Sequence, residues 1–163
     1  LGVLLVAVLV AGRSGSAFTA EIGMMKVNEE IDALRTLGLD PIEVLVLPRV
    51  IAMMVALPLL AFYGEIMALL GGMVIATASL DLSLTQFLDQ LESAVTLKTL
   101  LIGLSKAPVF AFLIAMDGCY EGLQVEGSAE SVGRMTTRAV VESIFLVIVV
   151  DAAFSILFSY LGV

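Results

Sequence analysis

The stretch VIAMMVALPLLAFYGEIMALLGGMVIATASL, Val50–Leu80, decides the fold, because its 31 residues carry a single charge, at Glu65. About 20 consecutive apolar residues are enough for a helix to cross the hydrocarbon core of a bilayer. A second stretch of this kind, Ser143–Val163, is charged only at Asp151. Of the 163 residues, 60% are apolar and 15% are charged, whereas soluble domains hold about 45–50% and roughly 25%. The sequence therefore predicts an integral membrane protein.

Four apolar segments alternate with three polar ones, which predicts a single all-α polytopic transmembrane helical bundle over residues 1–163. The predicted segments are the end of a membrane helix (1–11), a cytoplasmic segment (12–43), a membrane helix (44–79), an outer segment (80–96), a membrane helix (97–116), a cytoplasmic segment (117–139) and a membrane helix (140–162). The first apolar segment has about half the length of a membrane span, so we expect the chain to be the C-terminal part of a longer protein.

The distribution of basic residues predicts the orientation in the membrane. Six Lys or Arg residues lie in or beside the first and third polar segments, at Arg13, Lys26, Arg35, Arg49, Arg134 and Arg138. Only Lys98 borders the middle polar segment. Because cytoplasmic loops are enriched in Lys and Arg, the first and third polar segments are predicted to be cytoplasmic. The middle segment and the C-terminus are then predicted to face outward.

Composition excludes several classes of function. The net charge of −8 argues against a nucleic-acid partner, since phosphate binding needs a basic surface. The chain has no His and only one Cys, Cys119, so a Cys/His metal site and an internal disulfide are excluded. We predict no catalytic residue, no metal site and no cofactor on this chain. No GxxxxGK[ST] loop is present in the sequence, so any ATP chemistry must come from a partner.

The middle polar segment has a helix of its own. Ser83 followed by Gln86 is a capping-box pattern. Apolar residues then recur at helical spacing from Leu84 to Val95. This pattern predicts a short amphipathic outer helix, which either lies on the membrane or covers the bundle, or is an ordinary connector.

The first polar segment holds a second short amphipathic helix, predicted over Asn28–Leu37. Asn28 is the predicted N-cap, and Glu29 and Glu30 favour the positive end of the helix dipole. Gly38 occupies the position of a left-handed C-terminal cap, and Pro41 prevents the helix from continuing. The apolar face is formed by Ile31, Leu34 and Leu37, and the polar side carries Asp32 and Arg35.

Three ionisable residues, Glu65, Lys106 and Asp151, fall inside predicted membrane helices. Such charges are costly and usually face a bundle interior or a cavity. Lys106 and Asp151 lie at a similar depth, about nine residues or 13 Å from the predicted outer ends of their helices. We therefore predict a Lys106–Asp151 ion pair, with Glu65 as the rival partner of Lys106. The pair is either structural or part of a path for lipid headgroups.

Several motifs together resemble one family of permeases. The elements Asp32-Ala33, Gly38 and Leu45-Val46-Leu47-Pro48 resemble the EAA loop of ABC permeases. A wider set resembles the MlaE/YrbE permease family, namely GRSGSAFTAEIGMMK (12–26), EEIDAL (29–34), GLDP (38–41), DGCYEG (117–122) and GRMTTRAVV (133–141). These motifs follow one another in the family's order over almost the whole chain.

The resemblance implies a permease subunit of an ABC transporter in a bacterial inner membrane. Such subunits move phospholipid or a related lipid, and act as a pair of permease copies beside two ATPase subunits. A periplasmic protein with an MCE domain is the implied lipid-binding partner, and the implied process is intermembrane lipid trafficking that maintains outer-membrane lipid asymmetry. The implied ATPase-coupling residues are Glu29, Glu30, Ile31, Asp32, Leu34, Arg35 and Gly38.

Two other functions remain open from the residues alone. In an ion- or proton-coupled secondary transporter, Glu65, Lys106 and Asp151 would form a relay and no ATPase would be needed. In a membrane scaffold without transport activity, the helix at 28–37 would be a docking site for another protein.

Overall fold

The computed structural model of the protein describes residues 1–79 and 82–162. Within these residues the regular structure is entirely helical, which confirms the all-α prediction. The six helices are α1 (Gly2–Val27), α2 (Glu30–Thr36), α3 (Ile42–Ser79), α4 (Leu84–Ala94), α5 (Leu97–Leu123) and α6 (Ala129–Tyr160). Residues 80 and 81 of the predicted segment 80–96 lie outside the described ranges.

Four of these helices, α1, α3, α5 and α6, are long and apolar enough to cross a membrane. Large apolar side chains remain exposed along them, including Leu59 at 66% and Phe145 at 64%. Side chains of this kind are stable in contact with lipid, whereas a soluble protein rarely exposes them in such number. The chain is therefore a multi-pass membrane protein.

Helix α1 extends much further than the apolar segment 1–11. It passes through a single π-helical turn at Ala11–Gly15 and continues to Val27. The Ser16 hydroxyl donates to the carbonyl oxygens of Gly12 and Arg13 at 2.6 and 2.9 Å, so this polar side chain is satisfied by the helix itself. A polar sequence does not end a helix unless it also disfavours helical backbone angles. The predicted region 12–43 therefore begins inside a helix.

The predicted N-cap at Asn28 is wrong. Asn28 lies at the C-terminal end of α1, where its N–H donates to the Met24 carbonyl at 2.9 Å. Helix α2 begins at Glu30, after Glu29 adopts a left-handed conformation with φ of 63°. The residue that precedes α2 is therefore Glu29, and its side chain forms no capping hydrogen bond.

The predicted end of α2 is confirmed. Gly38 has a φ of +76°, in the left-handed region that glycine adopts without strain. Its N–H donates to the Arg35 carbonyl, and the N–H of Leu39 donates to the Leu34 carbonyl, both at 3.0 Å. These two bonds form a Schellman cap, which satisfies carbonyls that the helix end would otherwise leave unpaired.

Helix α5 lies at the centre of the bundle and packs against α1, α3 and α6. The core contains fully buried side chains from each of these helices, among them Ile22, Leu57, Phe110, Ile114 and Val147. The closest approach joins α1 to α5, where a Cβ added to Gly118 would lie 2.6 Å from the Gly15 carbonyl oxygen. The buried Thr19 hydroxyl donates to the Gly118 carbonyl at 2.8 Å. Small residues and a hydroxyl bond of this kind are typical of close helix packing in membranes.

The predicted short helix of the middle polar segment, α4, is confirmed, together with its capping box. The Ser83 hydroxyl oxygen accepts from the Gln86 N–H at 3.3 Å, and the Gln86 side chain accepts from the Ser83 N–H at 3.1 Å. No side chain of α4 is buried in the described part of the chain, and its main contact is with α3. The choice between a surface helix and a connector stays open.

Candidate functional site

The predicted ion pair inside the bundle is present. Lys106 Nζ on α5 lies 3.2 Å from Asp151 Oδ1 on α6. The two side chains are 15% and 24% exposed. Because most of their surface is buried, removing either partner would leave an uncompensated charge, which costs more than the loss of a surface ion pair.

Two aromatic rings complete the surroundings of Lys106. Its Nζ lies 5.9 Å from the ring centre of Phe154 and 5.5 Å from that of Phe158. A cation at this distance from a ring is attracted by the negative charge density of its faces. Sequence reasoning missed these rings. Their spacing from Asp151, three and seven residues along α6, places all three on one helical face and was the available signal.

Glu65 lines the same cavity as the ion pair but is not a member of that pair. A cavity of about 240 Å³ is lined by Glu65 together with Lys106 and Asp151. Glu65 forms no ion pair with any described residue, and its buried Oε2 accepts no hydrogen bond from them. The ion pair therefore involves Asp151, and Glu65 contributes an unpaired carboxylate to the cavity wall.

A second cavity of about 310 Å³ meets the first one at Glu65 and Thr99, which line both. Its other lining residues are apolar, namely Gly2, Ala68, Leu69, Val95 and Leu100. A charged compartment thus lies directly beside an apolar one. This arrangement matches a molecule that has both a polar and an apolar part.

Helix α2 presents its charged side chains outward. Most of the predicted coupling residues are exposed, namely Glu29, Glu30, Asp32, Arg35 and Gly38. Ile31 is buried at 3% exposure, whereas Leu34 is half-buried. Arg35 Nη1 lies 3.6 Å from Asp32 Oδ1, and both side chains are largely exposed. Such a surface pair contributes little to stability.

The residue best suited to contact another protein lies at the end of α2 and was not among the predicted coupling residues. Leu37, the residue after the helix, is 75% exposed. A groove of about 330 Å³ borders α2 and is lined by residues of both signs, including Lys26, Asp32 and Arg35. An exposed leucine beside charged residues is the pattern expected of a docking surface.

A second charged cluster, also missed by sequence reasoning, lies between α5 and α6. One carboxylate oxygen from each of Asp117, Glu121 and Glu142 lies within 4.8 Å of the other two. Arg138 Nε donates to Glu142 Oε1 at 2.7 Å and lies 3.6 Å from Glu121 Oε1. The Ser143 hydroxyl donates to Asp117 Oδ2 at 2.6 Å. The sequence signal was Asp117 and Glu121, four residues apart on one face of a helix.

Four membrane helices, an exposed helix between the first two, and joined polar and apolar cavities define a polytopic helical membrane protein with internal space for a ligand. The chain belongs to the MlaE permease family, whose model matches residues 1–157. This membership confirms the family resemblance of the sequence motifs.

Individual relatives agree with this assignment. A probable ABC transporter permease protein of Rickettsia typhi is 41% identical over 149 residues, which are 91% of this chain and 58% of the relative. A probable ABC transporter permease protein of Synechocystis is 42% identical over 149 residues, covering 91% of this chain and 57% of the relative. The chloroplastic protein TRIGALACTOSYLDIACYLGLYCEROL 1 of Arabidopsis thaliana is 35% identical over 158 residues, covering 97% of this chain and 45% of the relative. The chain thus spans about half the length of the curated relatives it matches.

Proposed function

We propose that the chain is part of the permease subunit of an ABC transporter that moves phospholipid or a related lipid. The observation that carries this proposal is the pair of cavities that meet at Glu65, one charged and one apolar. A lipid has a headgroup that suits the first cavity and acyl chains that suit the second. The names of the relatives support the proposal, since two are called ABC transporter permeases and the third is named after a glycolipid.

The driving force is proposed to come from a separate ATPase subunit that binds α2. The chain has no nucleotide-binding loop, so ATP is bound and hydrolysed on the partner and this subunit is not itself an enzyme. Helix α2 follows α1 after the left-handed residue Glu29 and precedes α3 after the cap at Gly38. Both α1 and α3 supply walls of the charged cavity, through Val3 and Glu65. A displacement of α2 by the ATPase would therefore change the shape of the cavity directly.

The proposed assembly contains two permease copies, two ATPase subunits and a periplasmic MCE-domain protein. The permease would lie in a bacterial inner membrane, and lipid would pass between that membrane and the MCE-domain partner. This route corresponds to intermembrane lipid trafficking in support of outer-membrane lipid asymmetry. In this mechanism the Lys106–Asp151 pair holds α5 to α6 while α1 and α3 move.

A second candidate function is an ion- or proton-coupled secondary transporter. It is favoured by one observation, that Glu65, Lys106 and Asp151 all line the same cavity. Such a transporter would work from an ion gradient and would need no ATPase.

The docking role of α2 is tested with Leu37→Asp in the full-length permease, co-expressed with the ATPase subunit of its system. Leu37 is more suitable than the half-buried Leu34, because a charge at an exposed position leaves the fold intact. We expect the affinity for the ATPase to fall at least about tenfold, as for the loss of an apolar anchor in an interface. The measurement is the amount of ATPase subunit that co-purifies with the permease.

The matched control is Leu84→Asp, on the first turn of the outer helix α4, where Leu84 is 57% exposed. An acidic residue is favourable at that helix end, so the fold should stay intact. Because α4 is not the proposed ATPase contact, binding of the ATPase should be unchanged. Equal binding by wild type and Leu37→Asp would show that α2 is not the ATPase contact. Transfer of fluorescent phospholipid from proteoliposomes then separates the two functions, since only the secondary transporter would run on an ion gradient without the ATPase.

A further inference from the structure

The cluster of Asp117, Glu121 and Glu142 has a feature that most acidic clusters lack. Glu121 is fully buried, at 0% exposure, and neither of its carboxylate oxygens accepts a hydrogen bond from the described residues. Its carboxylate points into the space between α5 and α6, where oxygens of Asp117 and Glu142 lie within 4.8 Å. An ionised carboxylate that is buried without a hydrogen bond is strongly disfavoured unless a cation neutralises it or it takes up a proton.

Arg138 does not supply enough positive charge for this cluster. Its Nε is 3.6 Å from Glu121 Oε1, but the hydrogen on that nitrogen is donated to Glu142 at 2.7 Å. The Arg138 side chain is also 57% exposed. Three carboxylates and one guanidinium leave a net charge of −2 when all are ionised. One divalent cation would balance this charge.

The donor atoms define the kind of cation. All three candidate ligands are carboxylate oxygens, which bind hard cations such as Mg²⁺, Mn²⁺ and Ca²⁺. Ca²⁺–oxygen bonds of about 2.3–2.6 Å place opposite ligands about 5 Å apart, and Mg²⁺–oxygen bonds of about 2.0–2.1 Å place them about 4 Å apart. The observed spacing of up to 4.8 Å fits this class of ion. Ser143 fixes the Asp117 carboxylate from behind, as residues beside metal ligands commonly do.

We infer that Asp117, Glu121 and Glu142 bind one hard divalent cation between α5 and α6. The ion would join α5 to α6, and water would complete its coordination. The site is distinct from the cavity at Glu65 and from the docking helix α2, and does not depend on the transport function proposed above.

The test uses the full-length permease, purified in detergent with a chelator, dialysed, and kept free of nucleotide. Mn²⁺ is the probe, and its binding is followed by the loss of the free-ion signal in electron paramagnetic resonance. We expect wild type to bind one Mn²⁺ per permease chain, with Mg²⁺ and Ca²⁺ in competition. Glu121→Gln keeps the shape of the side chain and should weaken Mn²⁺ binding at least about tenfold.

Glu130→Gln is the matched control, since Glu130 is an exposed acid in the first turn of α6 and outside the cluster. It should bind Mn²⁺ as wild type does. If Glu121→Gln does not fold, Glu142→Gln provides the same test at a half-buried position. Mg²⁺ should raise the melting temperature of wild type and of Glu130→Gln, but not of Glu121→Gln.

Two results would overturn the inference. One is a wild-type protein that binds no Mn²⁺ and whose melting temperature is unaffected by Mg²⁺ and Ca²⁺, which would leave Glu121 as a protonated, neutral acid. The other is equal Mn²⁺ affinity in wild type, Glu121→Gln and Glu142→Gln, which would place the bound ion elsewhere.

Discussion

The interface between α5 and α6 carries charges at two levels, and the two levels are built differently. At the first, one lysine meets one aspartate, Lys106 and Asp151, at 3.2 Å. At the second, the single Arg138 faces the three carboxylates of the acidic cluster. A one-to-one pair satisfies itself, whereas an excess of buried acid needs a further partner. The first level is therefore expected to act as structure and the second as a binding site.

The largest effect is expected from breaking the balanced pair. Lys106→Met or Asp151→Asn leaves the other charge without its partner, which costs about 3 kcal/mol at a mostly buried position. The double variant removes both charges, so its loss should be smaller than the sum of the two single losses. The measurement is the melting temperature of the purified permease for wild type, both single variants and the double variant.

Lys98→Met is the control for this cycle, because Lys98 is exposed near the start of α5 and forms no ion pair with the described residues. Its melting temperature should equal that of wild type. Strictly additive losses from Lys106→Met and Asp151→Asn would show that the two residues do not interact. Unchanged stability combined with loss of lipid transfer would instead favour a direct role of the pair in the lipid path.

The balanced pair could be predicted from the sequence, whereas the acidic cluster was missed. Charges stand out against an apolar segment, so Lys106 and Asp151 were visible and their similar depth suggested the pair. Asp117, Glu121 and Glu142 lie near segment ends, where acids are common and carry little information. The structure shows what the pattern lacked, namely an antiparallel register of α5 and α6 that brings these three together. Once the Lys106–Asp151 pair is assigned, the same register places Glu142 within one helical turn of the position opposite Asp117.

The fold was predicted better than its boundaries. Alternating apolar and polar segments predicted the four membrane helices and both short helices, since periodicity and end caps depend on nearby residues. The continuation of α1 to Val27 and the start of α2 at Glu30 were not predicted. The first depends on long-range packing, such as the Thr19–Gly118 hydrogen bond, which holds the polar half of α1 against α5. The second depends on the left-handed conformation of Glu29, which the sequence pattern did not indicate.

A smaller effect is expected from Gly118→Ala. This variant tests whether the acidic cluster depends on the packing of α1 against α5, while the Lys106–Asp151 pair does not. Gly118 lies between Asp117 and Glu121, and the added Cβ would meet the backbone oxygen of Gly15 at 2.6 Å. Backbone atoms cannot move aside cheaply, so we expect a loss of about 2 kcal/mol in the free energy of unfolding. If the metal site depends on this packing, Mn²⁺ affinity should fall while the Lys106–Asp151 coupling energy stays the same.

Gly133→Ala is the matched control, since a Cβ at Gly133 would meet no atom within 4 Å. Alanine is the better helix former, so this variant should be equal to wild type or more stable by up to about 1 kcal/mol. Equal melting temperatures for Gly118→Ala and wild type would show that α1 and α5 separate easily at this level.

The smallest effect is expected from Phe158→Leu, which tests whether the attraction between Lys106 and the Phe158 ring stabilises the protein. Lys106 Nζ lies 5.5 Å from the Phe158 ring, and Phe158 stacks on Phe154 at 5.8 Å between ring centres. Phe154 also packs edge-on against the buried Phe110, so Phe158 is the ring whose removal disturbs the core least.

Leucine keeps an apolar side chain but removes the ring face, and the expected loss is about 0.5–1 kcal/mol from the missing cation–ring attraction. The same substitution in Lys106→Met should have a smaller effect, because methionine carries no charge for the ring to attract. Equal losses in both backgrounds would show that Phe158 contributes packing alone, and that Asp151 by itself balances Lys106.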